Sequence, residues 1–273
     1  MRRGKICAAL MLATCFLLVM TCAFALWDQV VWPEPSGDVV LENQVLRVDA
    51  SHASDGYYMV RIEESSTTRY KLQVKCNGKK FPEYDLKADG EWTVFPFQLG
   101  NGQYTITLYK LVSNKGYAVA GKVTVDVKLS GEYAPFLAPN QFVNYREDTE
   151  AVAIGDALCA GLTTDAEKFE AIRLYIHDNY QYDYERARNA KSGLLPDIDY
   201  CTTNKMGICQ DLSAMAACML RTQGIPARFC IGYMGNQYHA WLMVLLDGKE
   251  VRYDPSNDIN DVVVNNYTLE RYY

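Results

Sequence analysis

The chain has 273 residues, nearly half of them hydrophobic, which is enough to bury a substantial core and excludes a generally disordered protein. Its formal net charge of −6 excludes the dense basic surface that nucleic-acid binding requires. Nine cysteines at irregular spacing in a chain this long match no tight disulfide framework.

Residues 1–25 read as a secretory signal. Arg2, Arg3 and Lys5 form the basic start, Ile6 to Met20 the apolar run, and Ala23-Phe24-Ala25 the cleavage site. This predicts an exported protein, secreted or held in the cell envelope, whose only route to membrane attachment is the N-terminal segment. The apolar run is close to a membrane span in length, so an uncleaved anchor stands beside cleavage after Ala25. Cys7, Cys15 and Cys22 leave with the signal, while Cys76, Cys159, Cys201, Cys209, Cys218 and Cys230 remain. Cys218 and Cys230 lie in apolar runs and read as core. Cys201 is open to pairing with Cys76, Cys159 or Cys209.

From Trp27 to Val127 short runs of β-branched and aromatic residues alternate with turn signals. The expected strands are Val45–Val48, Tyr57–Ile62, Tyr70–Cys76, Trp92–Phe97, Tyr104–Leu108 and Val123–Val127, separated by Asn77-Gly78, Asp89-Gly90, Asn101-Gly102 and Asn114-Lys115-Gly116. Such spacing predicts an Ig/fibronectin-like β-sandwich over residues 26–135. His52 stands alone in a polar stretch and reads as a solvated loop histidine. Residues 131–149 lose the strand rhythm and mark the boundary to a second domain, residues 136–273.

Glu150 to Leu162 reads as a helix. Thr164 to Glu167 forms a capping box that opens another. His177, near the end of that helix, reads as structural. Tyr180 to Tyr184 is expected to pack on a later helix, and Ala187 to Asn204 reads as a long irregular connection and binding rim. That later helix follows Gly207 and begins at Cys209, with Leu212, Met215, Ala216, Met219 and Leu220 as an apolar stripe at helical period. Gly224 stops it. Unpaired N–H groups and the helix dipole at that position favour a thiolate. A buried, inert cysteine is the plainer account of Cys209 taken alone.

After Gly224 the pattern turns to strands: Ala227–Met234, His239–Leu246 and Lys249–Asp254. Asp247-Gly248 is the turn pair of a two-residue hairpin. If Leu246 pairs with Lys249, Asp254 falls opposite Trp241 and shares a face with His239, one diagonal step away. A strand histidine and a turn-initiating aspartate are ordinary when met singly. A cysteine at a helix start, a histidine on a strand and an aspartate on the next strand together form a nucleophile, its base and an orienting carboxylate.

These residues resemble the transglutaminase-like superfamily, papain-related folds whose core runs in the order Cys, His, Asp. The resemblance rests on GICQDLSAMAACMLRTQGIPARFCIGY, YHAWLMV and VRYDPS, and it covers roughly the second half of the chain. It implies that Cys209 is the nucleophile, His239 the base and Asp254 its partner, and that no cofactor or metal is needed. It also implies an α+β chain of the secreted bacterial kind, with a β-sandwich ahead of a domain made of a helical part and an antiparallel sheet. The chemistry implied is acyl transfer at a protein or peptide carboxamide through a thioester, ending in cross-linking, deamidation or cleavage. The expected partner is a protein or peptide, with the cell envelope as one source. The segment after Asp254 is too short for the extra domains of animal transglutaminases, and no calcium-binding loop is read. The backbone N–H of Cys209 is one expected oxyanion donor, with Tyr182, Thr203 and Asn204 as side-chain candidates. A non-catalytic envelope module on the same fold is the alternative, and a metal site at Cys209, His239 and Asp254 a third reading.

Overall fold

The computed structural model describes residues 30–113 and 116–273, so the signal assigned to residues 1–25 and part of the Asn114-Lys115-Gly116 turn lie outside the described residues. Among the described residues, no helix is long and apolar enough to cross a membrane.

The first nine strands are β1 (Val40–Asn43), β2 (Leu46–Asp49), β3 (Tyr57–Ile62), β4 (Ser66–Cys76), β5 (Lys79–Lys80), β6 (Tyr84–Ala88), β7 (Thr93–Pro96), β8 (Gly102–Leu111) and β9 (Tyr117–Val127). They form two antiparallel sheets, one in the order β1-β2-β3-β7, the other β5-β4-β8-β9 with β6 also paired to β4. Alternation decides which side is buried. Leu72 faces Leu108, Val74 faces Ile106 and Cys76 faces Tyr104 across the β4–β8 ladder, all of them out of solvent. Aromatic rings join the two sheets: Tyr84 lies 4.8 Å from Phe95, and Phe97 4.8 Å from Tyr104. β1, β5 and β6 escape a reading by β-propensity. In β6, Asp85, Lys87 and Ala88 are poor strand formers, yet Tyr84, Leu86 and Ala88 point inward in strict alternation.

The helices are α1 (Glu150–Cys159), α2 (Asp165–Asn179), α3 (Tyr184–Asn189), α4 (Ile198–Asn204), α5 (Cys209–Arg221) and α6 (Pro255–Asp258). The capping box of α2 forms as expected, with Glu167 N donating to Thr164 Oγ1 and Thr164 N donating to Glu167 Oε2. The stretch from Ala187 to Asn204 is not wholly irregular, because α3 reaches into it and α4 closes it. Asp183 accepts from Arg186 N at 2.8 Å and Asp197 from Tyr200 N at 2.8 Å, and these two N-caps start helices too short to show a period.

Helix α5 is the axis of the second half. From Asp211 to Arg221 every residue is buried, so it carries apolar contacts all round, not on a single stripe. Arg221 ends it, and among the described residues no Asp or Glu side chain pairs with it. Its guanidinium donates to the main-chain oxygens of Ala138, Ala227 and Tyr273 at 2.6, 2.7 and 3.1 Å, tying the connecting segment and the last sheet to the helix. That sheet is antiparallel, in the order β14 (Lys249–Tyr253), β13 (Gln237–Leu246), β12 (Ala227–Met234), β15 (Tyr267–Tyr272). A two-stranded parallel pair, β10 (Gln181–Tyr182) with β11 (Met206–Gly207), sits just before α5. The segment Tyr180–Tyr184 thus approaches α5 through this pairing. One hydrophobic core runs through both halves, and Tyr273 stacks on Phe142 and meets Phe81 edge-on. All six described cysteines are free, including Cys201.

Candidate active site

Cys209 is the first residue of α5, and it is half-buried whereas the other five described cysteines are buried. Its position is fixed from beneath by Asp211, which has no solvent exposure. Asp211 accepts from Arg186 Nε at 2.8 Å, from Arg186 Nη2 at 3.3 Å, from Asp197 N at 3.0 Å and from Ile208 N at 3.2 Å. One carboxylate therefore joins α3, the start of α4 and the residue that caps α5. Gly207 keeps this knot tight, since a Cβ there would lie 2.9 Å from both Cys201 Sγ and the Cβ of Asp211. Replacing Asp211 by Ala strands the mostly buried Arg186 and two backbone amides. A loss of about 3–5 kcal/mol is expected, seen as a lower urea midpoint with an unchanged slope.

His239 comes from β13 and Asp254 from the residue after β14. The hairpin register is the expected one, Leu246 opposite Lys249, and Asp247 and Gly248 take φ of 49° and 76° as a primed turn demands. His239 Nε2 donates to Asp254 Oδ2 at 2.6 Å. Asp254 also accepts from Tyr267 Oη at 2.7 Å, Ser256 Oγ at 2.8 Å, Asn257 Nδ2 at 2.9 Å and Asn257 N at 3.2 Å. Burial would raise this carboxyl, but His239, Tyr267 and Ser256 outweigh it and hold Asp254 below the usual carboxylate range. Burial likewise disfavours the charged imidazole, yet the bond to Asp254 and the neighbouring Cys209 side chain win and lift His239 to about 9.

The remaining ring nitrogen, Nδ1, is buried and has no hydrogen-bond partner. With Nε2–H committed to the carboxylate, Nδ1 is the ring position left to exchange a proton with the thiol. Gly232, opposite His239, makes the close approach of β15 possible, because a Cβ there would meet Thr268 O at 2.0 Å. That approach brings Tyr267 onto Asp254. Among these supporting residues, Ser256 and Asn257 follow Asp254 in sequence and were within reach of an N-cap argument. Tyr267, Arg186 and Asp211 carry no local signal and become legible only in three dimensions.

The remaining expected residues separate clearly. Tyr182 pairs in register with Gly207 and lines the cleft beside Cys209. Burial pushes its phenol up to about 12, with the Cys209 backbone amide acting in the opposite sense. Thr203 is exposed, Asn204 donates to Tyr200 O at 2.8 Å, and neither reaches the cleft. Gln210 lines the cleft, but its amide donates to Leu194 O at 3.0 Å. His177 bonds Asp178 at 2.8 Å at the far end of α2, and His52 bonds Asp55 at 3.0 Å in its loop. Cys209 and His239 open into a cleft of about 1500 Å³. Its opposite wall is built by β6, β7 and residues 139–146, and its rim by residues 190–195. Of the expected rim, Ala187 to Asn204, residues 187 and 190–195 line the cleft and residues 196–204 do not.

A cysteine at a helix start facing a histidine–aspartate pair on an antiparallel sheet defines a cysteine-nucleophile class of α/β domain. Residues 152–255 match the family model of the transglutaminase-like superfamily, and this part of the chain is a transglutaminase-like domain. The match contains Cys209, His239 and Asp254. Among solved structures, a candidate cysteine protease from Cytophaga hutchinsonii is similar at 14% identity, covering 80% of this chain and 91% of that one, with a TM-score of 0.39. A candidate protease from Parabacteroides distasonis is similar at 13% identity over 81% of this chain and 38% of that one, TM-score 0.34. Red sea bream transglutaminase is similar at 10% identity over 73% of this chain and 47% of that one, TM-score 0.30. The chain spans less than half the length of the last two. No curated protein matches the sequence.

Proposed function

We propose that this is an exported cysteine acyltransferase or hydrolase acting on a protein or peptide carboxamide. The observation that carries the reading is the 2.6 Å bond from His239 Nε2 to Asp254, with Nδ1 left unpartnered beside the one described cysteine that is not buried. Nδ1 takes the Cys209 proton, and the thiolate attacks the carboxamide carbon to form a C–S bond. The Cys209 backbone N–H and the Tyr182 hydroxyl stabilise the oxyanion. The imidazolium returns its proton to the departing nitrogen as the C–N bond breaks, leaving a thioester. An amine or water then attacks, the imidazole accepts its proton, and the C–S bond breaks.

Residues 26–135, taken as an Ig/fibronectin-like sandwich, supply the far wall of the cleft together with residues 139–146, and the rest of residues 136–273 the chemistry. A cleft of about 1500 Å³ exceeds the few hundred to 1000 Å³ of small-molecule sites, which favours an extended polymer such as a polypeptide. The test is mass spectrometry of a glutamine-containing peptide incubated with the protein, with and without a primary amine. Conversion to Glu, an amine adduct or a cut peptide supports the reading and separates its three outcomes. Equal conversion by the Cys209→Ala protein would overturn it, and the envelope binding module would take its place.

A further inference from the structure

The catalytic wall of the cleft differs in charge from the wall facing it. The facing wall is balanced, with Glu83, Asp85 and Asp89 lining it beside Arg69, Lys87 and Arg146, and with Glu83 paired to Lys71 and Lys80 and Asp85 to Arg69. On the side that holds Cys209 and His239, from Tyr182 to Tyr273, the lining contains Lys191 and Arg271 and no Asp or Glu. This is a cationic surface on a chain of net charge −6.

Arg271 is the better defined of the two cations. Ala240, Ile231 and Arg271 form one row across β13, β12 and β15, and all three line the cleft. By alternation this row shares its face with Tyr238, and two strand spacings separate its ends, so the Arg271 backbone lies roughly 10 Å from that of Ala240. Its guanidinium is oriented by Tyr238, the residue on the other side of His239, with Nη2 donating to Tyr238 Oη at 2.6 Å. Its Nε is buried without a partner, and among the described residues no carboxylate lies within ion-pair distance of it. A half-buried guanidinium, fixed in direction and lacking an anion, is suited to bind a planar carboxylate.

We propose that Arg271 is a specificity-determining residue that binds a free carboxylate on the acyl donor, one or two residues from the carboxamide attacked by Cys209. This rests on the function proposed above. The substrate class it selects is an anionic peptide, such as one ending in a free carboxyl group near the reacting amide.

Two probes that share a warhead and differ in charge test this: N-iodoacetyl-glycylglycine and its C-terminal amide, each alkylating Cys209 in the full protein. For the wild type the carboxylate probe is expected to react roughly tenfold faster than the amide, the effect of one charge-assisted hydrogen bond. Arg271→Gln should lose most of that ratio while its rate with the amide probe stays within about twofold. Arg271→Lys should keep part of the ratio, and Lys191→Gln nearly all of it. A ratio near one in the wild type, or the same ratio in Arg271→Gln, overturns the proposal. So does an equal loss in Lys191→Gln, which would mean a diffuse field. Failure of Cys209 to react with the amide probe at all is a different result: it removes the nucleophile, and the proposed function falls together with this subsite.

Discussion

Cys209→Ala is expected to fold like the wild type and to lose turnover by at least about 10⁴-fold. Folding should survive because the side chain is half-buried at the first position of α5, and alanine is the best helix former. The stability change should stay within about 1 kcal/mol. The knot that shapes this turn, Asp211 with Arg186, Asp197 and Ile208, does not use the thiol. The other cysteines give the contrast. Burial pushes the thiol of Cys159 up to about 11 and that of Cys230 up to about 12, and it raises Cys201 and Cys218 as well. These thiols stay protonated near neutral pH, and a protonated thiol is a poor nucleophile. Among the described cysteines one iodoacetamide adduct is therefore expected at pH 7, located on Cys209 by peptide mapping. His239→Ala should slow that alkylation while leaving the helix intact. Turnover in Cys209→Ala, or first labelling at another cysteine, would remove Cys209 from the mechanism.

The parts of this site that are local in sequence were legible there. The Asp247-Gly248 turn predicts the pairing of Leu246 with Lys249, which sets Asp254 one diagonal step from His239, and the hairpin has that pairing. Gly207 and Gly224 bracketed α5 because a close approach and a positive φ of 76° both exclude a side chain. The helix was less well described by its own period: its apolar stripe is visible, but burial on every side depends on neighbours supplied by distant segments. The same limit hid Tyr267 and Asp211. Tyr267 reaches Asp254 only because Gly232 lets β15 close on β12, and Asp211 reads locally as a first-turn acid. Short helices such as α3 and α4 lie below the length at which periodicity exists, leaving their caps as the only signal. For Arg271 the sequence offers a charge in a strand, and its meaning comes from a cleft wall without acids.

The histidine–aspartate pair should also make the fold's stability depend on pH in a defined direction. His239 is lifted from its ordinary value of 6.5 to about 9 in the folded chain, so between those values the native state holds a proton that the unfolded state has released. Stability from this group is complete below pH 6.5 and is lost as pH rises through about 9, a loss of about 3 kcal/mol. Asp254 works at the other end. Its carboxyl is depressed below its ordinary 3.8, so its contribution is present above that value and disappears as pH falls through the folded value. Urea midpoints are expected to be level from about pH 4 to 6.5 and to decline toward pH 9. Asp254→Asn should be less stable at pH 6 and should flatten the decline, since an amide cannot hold the imidazolium. An equal decline in that variant would mean that the proton resides elsewhere. The physical contest is between burial, which disfavours the charged ring, and a carboxylate that five hydrogen bonds prevent from accepting the proton itself. The carboxylate wins, and the consequence is chemical as well as structural. In the proposed reaction a ring with this proton affinity is the acid that protonates the leaving nitrogen as the C–N bond breaks.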